Sequence, residues 1–316
     1  MSDDEDGAAW GDDEVVSRRA TDPRGELAGS VSSAAMAVLF AAVVIFGKQV
    51  SAGHLPFVML AIRFGGQSLL LLCALLMLRR PLLPSKGERL PLALAGTIGY
   101  GSEAAFYFSA LNHGSAAAIT LLFYTYPVWV MLVTIGLDRK APPRALFLAL
   151  ALALIGSAFV VLGAGSAQIE TIGIVLALCT AFTYTAYLVG TDRHVKITDP
   201  LTAATWLGIG AAVANITYSI AFNAVVFPPA SDWWRLLGMI VFSAAAFVAM
   251  LVGLQLVGAV RNAIIGVMEP LTVAVLAFFF LDEPITLAIV VGGALILGGA
   301  VLAMLIRTTK TAEPPI

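Results

Sequence analysis

Four charged side chains lie within long apolar stretches of this 316-residue chain: Lys48, Arg63, Glu103 and Glu269. Ionisable groups at such positions are costly unless they face a partner or a pathway, so they mark sites by default. Together they have the chemistry to recognise the carboxylate and ammonium of a zwitterion, or to carry a proton. Pro270 follows Glu269 directly, and Pro127 stands in another apolar stretch. A proline removes a backbone hydrogen bond and kinks a helix, freeing a carbonyl near the same depth. A third set, Tyr100, Tyr107, Phe123, Tyr124, Tyr126, Trp129, Tyr184, Tyr187 and Trp206, is aromatic. Its tyrosines combine an apolar face with a polar tip, which suits amphipathic solutes. The candidate substrate-binding residues are therefore Glu269, Glu103, Lys48, Arg63, Tyr124, Tyr126, Tyr100 and Trp206, with Pro127 and Pro270 as structural kinks. Plainer uses stand beside these: an ion pair from Glu103 to Arg63 or Lys48, a Glu269 bonded to backbone, and aromatic residues that simply pack.

Other chemistry finds no support. The chain has no H-E-x-x-H, no phosphate-cradling Gly-rich loop with Lys and no G-x-S-x-G. His54, His113 and His194 are scattered over loops, and Cys73 and Cys179 both sit in apolar runs, so neither a metal site nor a disulfide follows. No catalytic residue, cofactor or metal is expected.

The elements that must hold these residues are visible in the composition. Hydrophobic residues make up 59% and charged ones 12%, with a mean hydropathy of +0.93. Soluble domains carry about 25% charged residues. The chain is therefore expected to be an all-α membrane protein, which excludes a cytosolic enzyme, a nucleic-acid binder and a secreted disulfide scaffold. Ten apolar runs are expected to cross the bilayer as helices, at 31–51, 57–78, 91–111, 115–137, 144–163, 172–190, 201–225, 236–256, 259–281 and 285–306. None alternates as barrel strands would.

Charge sets the orientation. With the amino terminus inside, 15 of the 18 Lys and Arg residues fall on the cytoplasmic side, Arg261 among them, and only Arg235 falls opposite. Both termini are then cytoplasmic. Residues 1–29 hold nine acids and three bases and are expected to form a disordered acidic tail. Residues 308–316 form a short cytoplasmic tail.

The two halves align at a constant offset of 143: Ala110-Leu111-Asn112 over Gly253-Leu254-Gln255, Tyr126-Pro127-Val128 over Glu269-Pro270-Leu271, and Gly156 over Gly299. Residues 30–163 and 164–307 are thus two five-helix repeats. Five is odd, so the second half is inverted in the membrane, an arrangement of secondary transporters with a midplane site between the halves. Glu269 lies about ten residues into its run, roughly 15 Å deep. Small residues in the fifth and tenth runs, Gly156, Gly292, Gly293, Gly298 and Gly299, permit close backbone approach, within one subunit or at a dimer seam.

With these residues in hand the chain resembles the drug/metabolite transporter superfamily, in its EamA-type ten-helix branch. The resemblance runs from about Val31 to Ile306. It is carried by Pro56 to Arg63, Ala110-Leu111, Ser115 to Pro127, Glu269-Pro270 and Leu281-Asp282-Glu283-Pro284. The chain departs at Asp282, where the family usually has Gly, and at Phe46-Gly47-Lys48, where Trp-Gly is usual. The resemblance implies a multi-pass bacterial inner-membrane exporter of amino acids or related metabolites. Alternating access, with proton coupling through Glu269 or Glu103, is the expected mechanism. Its partners are a small-molecule substrate and the lipid bilayer, with no nucleic acid and a monomeric or homodimeric state. The alternatives are a non-transporting scaffold or receptor using the acidic tail, and a membrane-embedded enzyme.

Overall fold

The computed structural model describes residues 23–50, 56–114, 116–163, 169–281 and 284–306. His54, Ser115, Asp282, Glu283, most of the expected acidic tail and the carboxyl-terminal tail lie outside the described residues, as does the side chain of Lys48. The helices are α1 (Pro23–Val50), α2 (Phe57–Met77), α3 (Arg89–Leu94), a π-helical stretch (Ala95–Gly101) continuing into α4 (Ser102–Ala110), α5 (Ala116–Phe123), α6 (Tyr126–Asp138), α7 (Arg144–Gly163), α8 (Thr171–His194), α9 (Pro200–Ala221), α10 (Trp233–Gly266), α11 (Met268–Leu281) and α12 (Leu287–Leu305). Among the described residues there is no strand, only an isolated bridge between Gly114 and Ile169. Eight helices there are long and apolar enough to cross a membrane, and Met268–Phe280 is a shorter apolar one.

Two boundaries differ from the sequence reading, each for a local reason. First, α1 begins at Pro23, so residues 23–29 are helical rather than part of the tail. Proline suits a first helical position, where its missing N–H costs nothing. Gly29 then packs so closely on α10 that a Cβ there would lie 2.6 Å from that of Leu256. Second, the run at 91–111 changes helix type through its glycines, and α9 approaches closely there: a Cβ on Gly96 would meet the Leu207 carbonyl oxygen at 2.8 Å. The division expected between the eighth and ninth runs falls where α10 kinks, at Gly258, whose φ of +78° and ψ of 169° are non-helical and separate two helical segments. That conformation is essentially confined to glycine.

Packing follows the repeat. α1 packs on α10 and α11, and its counterpart α8 packs on α4, α5 and α6. The counterpart pairs α2 with α9 and α7 with α12 pack on each other. Each contact thus recurs with the halves exchanged. The small residues of α7 and α12 face one another: a Cβ on Gly156 would lie 2.5 Å from the Gly292 carbonyl oxygen, and one on Gly299 2.7 Å from that of Ala149. These glycines serve packing within the subunit.

At the end of the bundle bearing most Lys and Arg residues, the loop after α2 locks onto the loop after α8. Glu88 accepts the backbone N–H groups of Lys196, Ile197 and Thr198 at 2.7, 2.9 and 2.8 Å. Ser85 N–H donates to the Thr198 hydroxyl at 3.0 Å, Thr202 donates to the Pro81 carbonyl at 2.6 Å, and Arg80 pairs with Asp199 at 3.3 Å. Gln255 donates to the Thr198 carbonyl at 3.0 Å, adding α10 to the latch. Burial alone would push the Glu88 carboxyl up. The bonds from the Thr198 hydroxyl and the three backbone amides outweigh it, holding the group below its ordinary value.

Arg261, counted among the cytoplasmic-side cations and near the start of the ninth run, has a structural use. It is buried, donating from Nε to the Ala303 carbonyl at 3.1 Å and from a terminal nitrogen to that of Met304 at 3.0 Å, with Glu26 at 3.4 Å. It caps the carboxyl end of α12, where orphan carbonyls favour a cation.

Candidate functional site

Each half contributes one interrupted helix. The first breaks at Tyr124 and Thr125 between α5 and α6, and the second at Val267 between α10 and α11. The breaks align at the offset of 143, as Tyr124 stands over Val267. They fall on the amino-terminal side of Pro127 and Pro270 rather than at the prolines themselves. The cause is that a proline ring clashes with the carbonyl four residues back and leaves it without its N–H partner. The chain answers with tighter turns: Thr125 N–H bonds to the Leu122 carbonyl and Val267 N–H to that of Ile264, both at 3.2 Å. Pro127 and Pro270 then sit in the first turns of α6 and α11.

Glu269 leaves the second break and its carboxyl is in polar contact with the Tyr124 hydroxyl at the first. Both acidic residues lie within reach of the Arg63 guanidinium electrostatically, and of each other. Arg63 and Glu103 are buried and Glu269 is half-buried. Among the described residues no carboxylate forms a direct ion pair with Arg63. Its nearest polar partner is Ser243 on α10, whose hydroxyl accepts from Nε at 2.6 Å. Tyr100 stands near enough to feel the same guanidinium, and the Arg63 Cζ lies 4.8 Å from the centre of the Phe64 ring. The pairing of Glu103 with Arg63 is therefore a field effect across a gap and not a closed salt bridge.

The tyrosines form one continuous aromatic array around these charges. Tyr100 packs edge-on to Phe247 at 4.5 Å and to Tyr187 at 5.4 Å. Tyr187 leads to Tyr184 at 5.8 Å, Tyr184 to Tyr126 at 4.7 Å, and Tyr126 to Phe123 at 5.1 Å. Phe123 touches Tyr124 and Tyr107. The hydroxyls of Tyr184 and Tyr187 both point at the Met250 sulfur, at 3.8 and 3.6 Å. Tyr126 donates to the Ala263 carbonyl at 3.3 Å, a few residues before the second break. The array is most open around Glu269, Tyr107 and Phe123, which keep partial exposure.

Of the candidates, Arg63, Glu103, Glu269, Tyr100, Tyr124 and Tyr126 come together. Trp206 does not: its indole N–H donates to the Leu82 carbonyl at 2.9 Å, inside the latch. Trp129 packs on Phe182 at 4.6 Å, apart from the array. Lys48 closes the last turn of α1, with its side chain outside the described residues. Sequence reading missed Ser243, Phe64, Phe247 and Met250. The offset of 143 carried a signal for Ser243, which stands over Tyr100. Among the described residues no cluster of His, Cys, Asp and Glu suited to a metal is present.

A two-repeat helical bundle with charged residues gathered at paired helix breaks defines a multi-pass membrane protein of transporter type. The chain belongs to the EamA-like transporter family, which it matches over residues 27–162 and 171–305, one stretch for each half. It is similar to an uncharacterized transporter of Archaeoglobus fulgidus, 28% identical over 277 residues, covering 87% of this chain and 96% of the relative. It is also similar to the uncharacterized transporter YcbK of Bacillus subtilis, 28% identical over 226 residues, covering 67% and 72%. One crystal structure shares the fold with a TM-score of 0.74 at 21% identity, covering 87% of this chain and 96% of that one. Family and relatives indicate a transporter rather than an enzyme.

Proposed function

We propose that the protein is a secondary transporter that exports amino acids or related small metabolites across the bacterial inner membrane by alternating access. Ten membrane crossings in two inverted five-helix repeats, both termini cytoplasmic, make the frame. The site at the two helix breaks takes the solute. The observation that carries this reading is the meeting of one cation and two carboxylates, from both halves, inside an aromatic array. Arg63 receives the carboxylate of the solute. Glu103 and Glu269 receive its ammonium, and Glu269, the more accessible of the two, exchanges a proton as the halves rock. Charges buried among helices without a direct ion pair are expensive for a scaffold and useful for a carrier. Trp206, whose indole bonds within the latch, is given no part in this reading.

The test is counterflow in liposomes. Purified protein is loaded with each of the twenty amino acids in turn, and entry of the labelled solute is followed. Accumulation of at least one, abolished by Arg63→Ala in folded protein, is the expected result. Folded wild-type protein that moves none of the twenty overturns the reading. Deleting residues 1–22 leaves transport intact, whereas a scaffold acting through its tail would lose its partner.

A further inference from the structure

We propose that Ser243 is a positioning residue for Arg63 and, with its repeat counterpart Tyr100, sets the preference of the site for solutes that carry a carboxylate. The inference rests on the transport reading above and adds a residue and a selectivity to it.

Ser243, which bonds the Arg63 guanidinium, and Tyr100, which stands near it, hold the same position of the repeat. Tyr100 and Ser243 are separated by the offset of 143 that relates the halves. Arg63 and Tyr100 both belong to the first half, whereas the bond from Arg63 to Ser243 crosses to the second. The residue that stands where Arg63 would recur is Trp206, which lies in the latch. A single guanidinium thus stands beside both counterpart groups.

The chemistry of that hold is specific. Arginine has five N–H donors in a planar fork and many side-chain rotamers. Ser243 takes the Nε donor at 2.6 Å, and Ser243 itself is fully buried. An anion is then left the two terminal nitrogens of the fork. The Phe64 ring beside Cζ limits the tilt of the plane. A fork fixed at Nε presents its terminal donors end-on, the arrangement that suits a planar carboxylate. Removal of the hydroxyl leaves the charge in place but frees it to rotate toward Glu103 or Glu269, where it neutralises a carboxylate instead of waiting for one. The loss therefore falls on solutes whose carboxylate Arg63 must receive, and not on amines.

The experiment compares an amino acid with its decarboxylated amine. Wild-type protein, Ser243→Ala, Ser243→Thr and Tyr100→Phe are assayed by counterflow with the twenty amino acids and their corresponding amines. A hydrogen bond to a charged group is worth about a tenfold or greater change in equilibrium, so Ser243→Ala raises the KM for amino acids about tenfold with little change in kcat. The KM for the amines stays within threefold of wild type, a margin set by roughly ordinary neutral-bond losses. Tyr100→Phe shows the same pattern, and Ser243→Thr, which restores a hydroxyl, recovers it. Equal changes in KM for both solute classes, or a fall in kcat alone, overturn the inference. A variant that keeps wild-type KM values for amino acids overturns it as well. Wild-type protein that moves no member of the panel refutes the transport reading itself, and this inference with it.

Discussion

Glu88→Gln tests the latch at one end of the bundle. In the wild type the carboxylate accepts three consecutive backbone N–H groups, two on one oxygen and one on the other. Bonds to a charged acceptor are worth ~1.5–3 kcal/mol each, and neutral ones ~1 kcal/mol. Glutamine keeps one carbonyl oxygen, so two bonds survive in neutral form and the third meets an amide NH2 that cannot accept it. Taken at the lower end, the change weakens the latch by about 2.5 kcal/mol, roughly a 60-fold rise in the opening equilibrium. The amides of Lys196, Ile197 and Thr198 report it directly through hydrogen exchange in detergent or nanodiscs. At neutral pH their protection should fall by about that factor, while amides in the middle of α2 and α9 keep theirs. Protection at these three amides within threefold of wild type, a margin of roughly 0.7 kcal/mol, refutes the reasoning. The pH dependence has a fixed sign. The folded-state pKa is depressed below the ordinary 4.5. The contribution is therefore complete above the unfolded pKa and is lost as pH falls through the depressed folded value. The difference between wild type and variant should shrink only at strongly acidic pH.

Other expectations follow from the same geometry. Gly292→Ala places a methyl 2.5 Å from the Gly156 carbonyl oxygen, whereas Gly298→Ala, in the same helix, meets nothing within 4 Å. The first should cost ~1–3 kcal/mol by overpacking and the second should be neutral or slightly stabilising, as thermal unfolding in detergent will show. Equal melting points would remove the α7–α12 contact as described. Gly258→Ala forces a side chain into a glycine-only conformation and should cost ~1–3 kcal/mol on the same measurement. Glu269→Gln should abolish accumulation driven by an imposed pH gradient while leaving counterflow measurable. Full gradient-driven transport by this variant would remove Glu269 from the coupling.

Helices, halves and charged candidates were legible in the sequence because lipid imposes simple rules. Apolar length marks a span, and an ionisable group such as Glu269 within one stands out against its neighbours. The repeat was legible from three matches at one offset, and it placed the two prolines in equivalent helices. The position of the breaks was not, because it depends on the carbonyl that each proline ring displaces and not on the proline. Trp206 was assigned to the site on side-chain type alone. Its actual partner, the Leu82 carbonyl, is 124 residues away in sequence and carries no side-chain signal. The latch was hidden for the same reason, since three of the groups that grip Glu88 are backbone amides, which any sequence possesses. The capping role of Arg261 was not legible, because a charge count cannot see a helix end folding back over it.

Trp206 has a consequence for observation. Indole emission shifts in colour and yield when its N–H exchanges a carbonyl partner for water. Because that N–H joins α9 to the loop after α2, opening of the latch must alter the emission of this one chromophore. The chain holds four other tryptophans, Trp10, Trp129, Trp233 and Trp234. With those four replaced by phenylalanine, the protein would carry its own optical read-out of the latch, with no label attached and in an unmodified lipid environment.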